Sequence, residues 1–172
     1  MMKPDQALKL ALEYEARIYQ IYREAMEKTD DQSAKQIFEV LCEEEKQHLA
    51  YLENCLHEWQ KTGEISIKDL ATVIPSSEII QKSLHDMQRK LNSESSRPTS
   101  ELDLLKKALE AEIQASNFYR NMVQQLDGKA QQLFRRFLEI EDGHTAIVQA
   151  EIDSLNKWGF WFDIAEFRLE NQ

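Results

Sequence analysis

Two pairs of residues in this sequence combine a carboxylate and an imidazole at a spacing that suits metal binding. Glu45 precedes His48 by three residues. The same spacing recurs 96 residues later, between Glu141 and His144. On an α-helix, residues three apart lie on one face, about one turn apart, so both side chains reach the same ion. A single Glu-x-x-His is common in a Glu-rich helical chain, whereas a matched pair predicts a metal site.

Four long helices are predicted to carry these motifs, because apolar residues recur three and four positions apart. They cover residues 5–28, 32–60, 100–126 and 129–157. Asp5 is the expected N-cap of the first helix. A crossover over residues 61–99 contains a shorter predicted helix at 78–91. We therefore expect an all-α four-helix bundle of two repeated hairpins, with residues 1–172 as one domain.

The second hairpin repeats the first and identifies one further acid in each. The segment Ala-Leu-Glu-Tyr-Glu ends at Glu15, and Ala-Leu-Glu-Ala-Glu ends at Glu112. Glu15 lies 30 residues before Glu45. Glu112 lies 29 residues before Glu141. Both acids interrupt an apolar stripe, whereas the neighbouring Glu13 falls on a polar face. We therefore predict that Glu15 and Glu112 point into the bundle.

Six polar residues are thus expected on the inner faces of the four long helices. They are Glu15, Glu45, His48, Glu112, Glu141 and His144. Buried carboxylates need a cationic partner, and no Lys or Arg shares these stripes. Two divalent ions would balance the charge of the carboxylates. The set also matches the arrangement in di-iron and di-manganese bundles, where two helices each contribute a Glu and two each contribute Glu-x-x-His.

Each of the six residues has an expected role in that arrangement. Glu45 and Glu141 are predicted to bridge the two ions. Glu15 and Glu112 would bind at the outer ends, and each His would bind one ion. Mixed oxygen and nitrogen ligands favour two iron ions, with manganese or a mixed iron–manganese pair as the alternative. Zinc fits the ligands but has no redox chemistry.

Two tyrosines are the candidate catalytic residues. Tyr22 and Tyr119 each follow a predicted terminal acid by seven residues and lie on the same helix face as it. Core packing is one role for both tyrosines. A hydrogen bond to a metal-bound Glu, or electron transfer, is the other.

Composition excludes several classes of function. The net charge of −10, from 31 acidic and 21 basic residues, repels nucleic acid and anionic membranes. No run approaches the roughly 18 apolar residues of a membrane span, and no signal peptide is visible, so we expect a cytoplasmic protein.

Cys42 and Cys55 are too few for a four-cysteine metal site and are expected to be buried. His57 and His85 have no companion acids and are predicted to lie on the surface or in packing contacts.

These features resemble the ferritin-like, rubrerythrin-type di-iron proteins. The similar segments are residues 15–22, 38–52, 112–119 and 134–148. An aromatic tail from Trp158 to Gln172, which includes Phe167, is also similar, and we expect it to pack onto the bundle. The resemblance implies a non-haem di-iron centre, often in a homodimer, that reduces peroxide or oxidises ferrous iron. The chain departs from rubrerythrins proper in two ways. It lacks the cysteines of a rubredoxin domain, and Ala115 and Ser116 stand where a further carboxylate is expected.

The expected function is reduction of hydrogen peroxide or dioxygen at a di-iron centre. An external electron donor, such as a rubredoxin-like protein, would return the centre to the ferrous state. One alternative is a ferroxidase or iron-handling protein. The other is non-enzymatic, namely a metal or oxygen sensor or a structural bundle. The pattern of ligands does not distinguish among these reactions.

Overall fold

A computed structural model of the protein describes residues 2–90 and 100–162, and these form α-helices without strands. The helices are α1 (Pro4–Lys28), α2 (Gln32–Thr62), α3 (Ser77–Lys90), α4 (Ser100–Gln125) and α5 (Gly128–Lys157). The all-α helical bundle predicted from the sequence is confirmed, with each long helix within two residues of its predicted bounds. Among the described residues, no helix is long and apolar enough to cross a membrane.

Local sequence explains where the first two helices begin. Lys3 is the N-cap of α1, and its backbone N–H donates to Gln6 Oε1 at 3.3 Å. The prediction that Asp5 caps this helix is wrong, because Pro4 already takes a helical position and leaves Asp5 in the first turn. Asp31 caps α2 by accepting the Ala34 N–H at 2.9 Å.

The helices pack as two hairpins that face each other. α1 packs on α2, α4 packs on α5, and α1 and α4 join the hairpins, while α3 lies against α5. The predicted apolar stripes form the core, where Leu8, Phe38, Leu105 and Phe134 are fully buried. Cys42 and Cys55 are buried, as expected, and unpaired. His57 and His85 are exposed.

The crossover segment (residues 63–76) has no regular secondary structure and connects α2 to α3 across α5. Tyr51 of α2 donates its hydroxyl to Lys68 O at 2.7 Å. From α5, the Arg136 guanidinium donates to Leu70 O at 2.9 and 3.2 Å. Ile65 and Ile74 are buried. The crossover segment is therefore fixed to both helices that carry a Glu-x-x-His pair.

The tail after α5 packs onto the bundle as far as the structure describes it. Ser154 donates its hydroxyl to Phe160 O at 2.6 Å, and Phe162 N–H donates to Glu151 Oε2 at 3.0 Å. The Trp161 ring meets Phe38 edge-on, with centroids 5.9 Å apart. The expectation for the tail is confirmed for these residues, and Phe167, which belonged to the same prediction, lies outside the described residues.

Gly143 marks the place where the crossover segment approaches α5 most closely. A Cβ built on Gly143 would lie 2.9 Å from the backbone oxygen of Pro75. We expect Gly143→Ala to lower the free energy of unfolding by about 1–3 kcal/mol through overpacking, despite the higher helix propensity of Ala. Urea denaturation followed by circular dichroism measures this.

Gln47 supplies the control, because it occupies the same position as Gly143 in the first hairpin but is exposed. Gln47→Ala is expected to change stability by less than about 0.5 kcal/mol. If Gly143→Ala is as stable as wild type, the close approach of the crossover segment to α5 is incorrect.

Candidate metal centre

The structure brings all six predicted ligands together in the middle of the bundle. The side chains of Glu15, Glu45, His48, Glu112, Glu141 and His144 are each 0% exposed. By contrast, Glu13 and Glu110, two residues before the terminal acids, are exposed. The inward facing of Glu15 and Glu112 is therefore confirmed, whereas the role of the six residues as metal ligands stays a prediction.

The six side chains form two overlapping groups, each of which can hold a metal ion. One group is Glu15, Glu45, His48 and Glu141; the other is Glu45, Glu112, Glu141 and His144. Within each group the donor atoms lie within 4.8 Å of one another. Glu45 and Glu141 belong to both groups, which is the arrangement expected for two bridging carboxylates.

The two imidazoles present the same nitrogen to the carboxylates. His48 Nδ1 lies 2.9 Å from Glu15 Oε2 and 3.4 Å from both Glu45 Oε2 and Glu141 Oε1. His144 Nδ1 lies 2.8 Å from Glu45 Oε1. The rings stack with centroids 5.3 Å apart and an interplanar angle of 12°. The internal repeat in the sequence therefore produces a nearly two-fold arrangement of donors.

Several of these buried atoms have no hydrogen-bond partner among the described residues. They are both carboxylate oxygens of Glu45 and of Glu141, Glu112 Oε2, His48 Nε2 and both ring nitrogens of His144. A buried polar atom without a partner is costly, and carboxylate oxygens only accept. A divalent cation bonds to several such atoms at once, so the donor set fits a metal ion.

Residues 3–56 match the Rubrerythrin family model. The match covers α1 and most of α2, and it includes Glu15, Glu45 and His48. It is consistent with a rubrerythrin-type ferritin-like protein. No match was found among curated proteins or among solved structures. The other candidate ligands, Glu112, Glu141 and His144, lie on the second hairpin, outside the matched residues.

Burial and charge give the carboxylates of the candidate metal centre very different proton affinities. Burial, together with the negative charge of Glu45, raises the pKa of both Glu15 and Glu112 to about 7. Burial raises the pKa of Glu141 well above its ordinary value. Burial acts on Glu45 in the same direction, but His48 and His144 outweigh it and hold its pKa below the ordinary value.

Both imidazoles are strong proton acceptors in this environment. Burial disfavours the charged ring, but Glu45 and Glu15 outweigh it and raise the pKa of His48 to about 9. The pKa of His144 is also raised well above its ordinary value, because Glu44 and Glu45 outweigh burial. Protons therefore compete with metal ions for these sites, and metal binding must release them.

Each candidate tyrosine donates to the terminal acid of the opposite hairpin. Tyr119 on α4 donates its hydroxyl to Glu15 Oε1 at 2.5 Å, and Tyr22 on α1 donates to Glu112 Oε1. Burial, followed by the nearby carboxylates, raises the pKa of both tyrosines well above 10, so their hydroxyls stay protonated. Both rings are fully buried in the core as well, so packing and hydrogen bonding occur together.

The sequence reasoning missed a seventh residue of the site, Glu44. It is only 3% exposed, and its Oε2 lies 3.7 Å from His144 Nε2. The signal was present, since Glu44 is seven residues after Ile37 and three after Leu41, both in the apolar stripe of α2. Its counterpart in the second hairpin is Ile140, a core residue.

Proposed function

We propose that this chain is a non-haem di-iron oxidoreductase that reduces hydrogen peroxide or dioxygen. The supporting observation is the pair of overlapping donor groups that share Glu45 and Glu141 in a fully buried site. Two adjacent ions that share bridging ligands can together supply two electrons. Such a site therefore suits a two-electron reaction better than a site with one ion or with a purely structural metal would. The partial match to the Rubrerythrin family model supports the same reading.

The residues that would hold the ions follow from the two groups. Glu45 and Glu141 would contact both ions. Glu15 with His48 would complete one position, and Glu112 with His144 would complete the other. Four carboxylates and two imidazoles favour iron, with manganese as the alternative occupant.

Bound ferrous ions would supply one electron each, the two electrons that conversion of hydrogen peroxide and two protons into two waters requires. The protein excludes bulk water from this reaction, since all six candidate ligands are 0% exposed. Tyr22 and Tyr119 hold protons at their hydroxyl oxygens and fix the orientation of Glu112 and Glu15. Each tyrosine occupies Oε1 of its carboxylate, while Glu15 Oε2 lies 2.9 Å from His48 Nδ1 and Glu112 Oε2 has no hydrogen-bond partner in the described part of the chain.

Two partners complete this proposal. Two cysteines cannot form a four-cysteine iron site, so we propose that an external protein, such as one of rubredoxin type, returns the centre to the ferrous state. We also propose that the chain acts as a cytoplasmic homodimer. Size-exclusion chromatography with light scattering measures the subunit number directly.

The reaction is tested with chelator-treated protein loaded anaerobically with two ferrous ions per chain and mixed with hydrogen peroxide or dioxygen. We expect two ferrous ions to be oxidised for each peroxide consumed, with the near-ultraviolet absorption of an oxo-bridged ferric pair. An added chemical reductant should then allow many turnovers. Stopped-flow absorption and a ferrous-ion assay measure both steps.

The same experiment, repeated with ferrous ions in large excess over two per chain, separates this proposal from iron handling. A resident centre stops when both ions are ferric, so oxidation that continues far beyond two ions per chain without a reductant would instead indicate a ferroxidase. If neither peroxide nor dioxygen oxidises the bound iron, the oxidoreductase proposal is wrong. Protein loaded with zinc in place of iron is the control, because zinc does not change oxidation state.

A further inference from the structure

Glu44 breaks the two-fold symmetry of the candidate metal centre. The repeat aligns Glu45 with Glu141 and His48 with His144, and it therefore aligns Glu44 with Ile140. Both positions are buried, but one side chain is a carboxylate and the other is a hydrocarbon. A buried carboxylate is costly unless it is hydrogen-bonded or paired, so the partners of Glu44 indicate why an acid is present at this position.

The crossover segment holds the Glu44 carboxylate in place. Thr72 donates its hydroxyl to Glu44 Oε2, and the Val73 N–H donates to Glu44 Oε1 at 3.0 Å. Thr72 is itself oriented, because its hydroxyl oxygen accepts the Ile74 N–H at 3.1 Å. Both oxygens of Glu44 are therefore fixed from outside α2, and each retains acceptor capacity for another donor.

The donor that faces Glu44 is Nε2 of His144. His144 Nε2 lies 3.7 Å from Glu44 Oε2, which is ion-pair range and longer than a hydrogen bond. An imidazole that gives its Nδ1 lone pair to a metal ion carries its remaining proton on Nε2, and that buried N–H needs an acceptor. A shift of about 0.8 Å would bring the two atoms to the usual hydrogen-bond distance of about 2.9 Å.

His48 differs in its contacts with carboxylates. Neither Nε2 has a hydrogen-bond partner among the described residues, but the carboxylates in ion-pair range of His48 approach its Nδ1, whereas Glu44 approaches Nε2 of His144. Glu44, His48 and His144 do form a group whose donor atoms lie within 4.8 Å, but the ion-pair contact of Glu44 is with His144. The Nε2 atoms of the two imidazoles therefore differ in their contacts with carboxylates.

We propose that Glu44 is a positioning residue that accepts the Nε2–H of His144, directs His144 Nδ1 toward the bound ions and ties the metal centre to the crossover segment. The inference rests on the proposed metal centre. It makes the two metal positions unequal, with the His144 position dependent on Glu44 and on Thr72. It also assigns a function to the contact between residues 72–73 and α2.

Metal titration of Glu44→Ala tests the first part of this proposal. We expect the variant to bind one Mn²⁺ ion about as tightly as wild type and the second about 10–100-fold more weakly, the usual effect of losing a carboxylate behind a metal-bound His. Glu43→Ala is the matched control, since Glu43 is adjacent and exposed, and it forms an ion pair with Lys46 at 3.2 Å. Glu43→Ala removes the same charge as Glu44→Ala, and we expect it to bind both ions as tightly as wild type does.

Nitrogen NMR of zinc-loaded protein tests the second part, because zinc is diamagnetic and suits the same ligands. The His144 Nε2–H should give a slowly exchanging signal in wild type and in Glu43→Ala. It should exchange rapidly in Glu44→Ala and be restored in Glu44→Gln, whose amide oxygen still accepts. Thr72→Val, which removes one support of the carboxylate, should fall between wild type and Glu44→Ala.

The possible outcomes distinguish this inference from the proposed function. If wild type binds two ions and Glu44→Ala matches Glu43→Ala in both measurements, Glu44 is not a positioning residue and the metal centre stands. If wild type binds no metal ion, both proposals fail. If Glu44→Ala does not fold, Glu44→Gln and Thr72→Val decide the question. If the His144 Nε2–H exchanges as slowly in Thr72→Val as in wild type, the inference is wrong.

Discussion

Glu45→Ala is expected to lose both metal ions, whereas Glu15→Ala is expected to lose one. Glu45 belongs to both four-residue donor groups, so its removal leaves three donors at each position. Glu15 belongs to one group, so its removal leaves the position of Glu112 and His144 complete. We expect metal content to fall from two ions per chain to below about 0.5 in the first variant and to about one in the second. Elemental analysis after equilibrium dialysis measures the difference.

Symmetry extends this prediction to the second hairpin. Glu141→Ala should behave like Glu45→Ala, and Glu112→Ala should behave like Glu15→Ala. Glu13→Ala is the control, because Glu13 lies on the same helix as Glu15 but is exposed. Equal losses in the Glu15 and Glu45 variants would mean that the two carboxylates have the same role, and the bridging assignment would then be incorrect.

The sequence predicted most of the fold because its helices are long and their apolar stripes are regular. Each acid of the centre stands out as a polar residue inside such a stripe, and the repeat of Glu15 to His48 in Glu112 to His144 supplies a second, independent copy. Helix periodicity was sufficient to choose Glu15 over Glu13, since a step of two residues turns a side chain by about 200° to the other face.

Apart from the N-cap of α1, the features that the sequence did not reveal depend on the crossover segment. Glu44 follows the same stripe as the predicted ligands, but its partners Thr72 and Val73 lie in irregular chain with no periodic pattern. Gly143 is unremarkable in sequence, and only the approach of the Pro75 oxygen explains why a glycine lies within α5. Contacts between an irregular segment and a helix depend on the path of the chain in three dimensions, and periodicity carries no information about that path.

The internal repeat makes the two halves of the candidate metal centre alike, whereas the two contacts of the crossover segment make their surroundings different. The repeat supplies matching acids and imidazoles to both metal positions. The crossover segment lies against only one face of the bundle, where it contacts Glu44 on α2 and Gly143 on α5. The two candidate metal positions therefore have matching types of ligand and different surroundings, so two ions bound there would have unequal affinities.

Chelator-treated protein is expected to lose stability as the pH rises from about 5 to 9. The pKa of Glu15 and of Glu112 is about 7 in the fold, against 4.5 ordinarily, so the folded chain binds more protons than the unfolded chain between these values. His48, at about 9 against 6.5, acts in the same sense at higher pH. Stability falls with pH wherever the folded state binds more protons. The pKa of Glu45 is lowered, so its effect lies below pH 4.5, outside this window.

We expect the loss to be on the order of 3 kcal/mol, or roughly 10 °C in Tm for a chain of this length, because the three groups share neighbours and do not add. Bound metal ions replace the protons, so metal-loaded protein should show no such loss. The increase in Tm on adding metal should therefore be larger at pH 8 than at pH 6. Differential scanning calorimetry from pH 5 to 9, with and without metal, measures both trends.

A pair of double variants assigns the pH dependence to the buried acids. Glu15→Gln with Glu112→Gln removes the two raised carboxylates and should flatten the decline in Tm between pH 5 and 7. Glu13→Gln with Glu110→Gln makes the same change two residues earlier on each helix, where both side chains are exposed, and should leave the decline intact. A chelated wild-type protein that becomes more stable as the pH rises from about 5 to 9 would contradict the raised pKa values of Glu15 and Glu112, because the folded state would then have to bind fewer protons than the unfolded state.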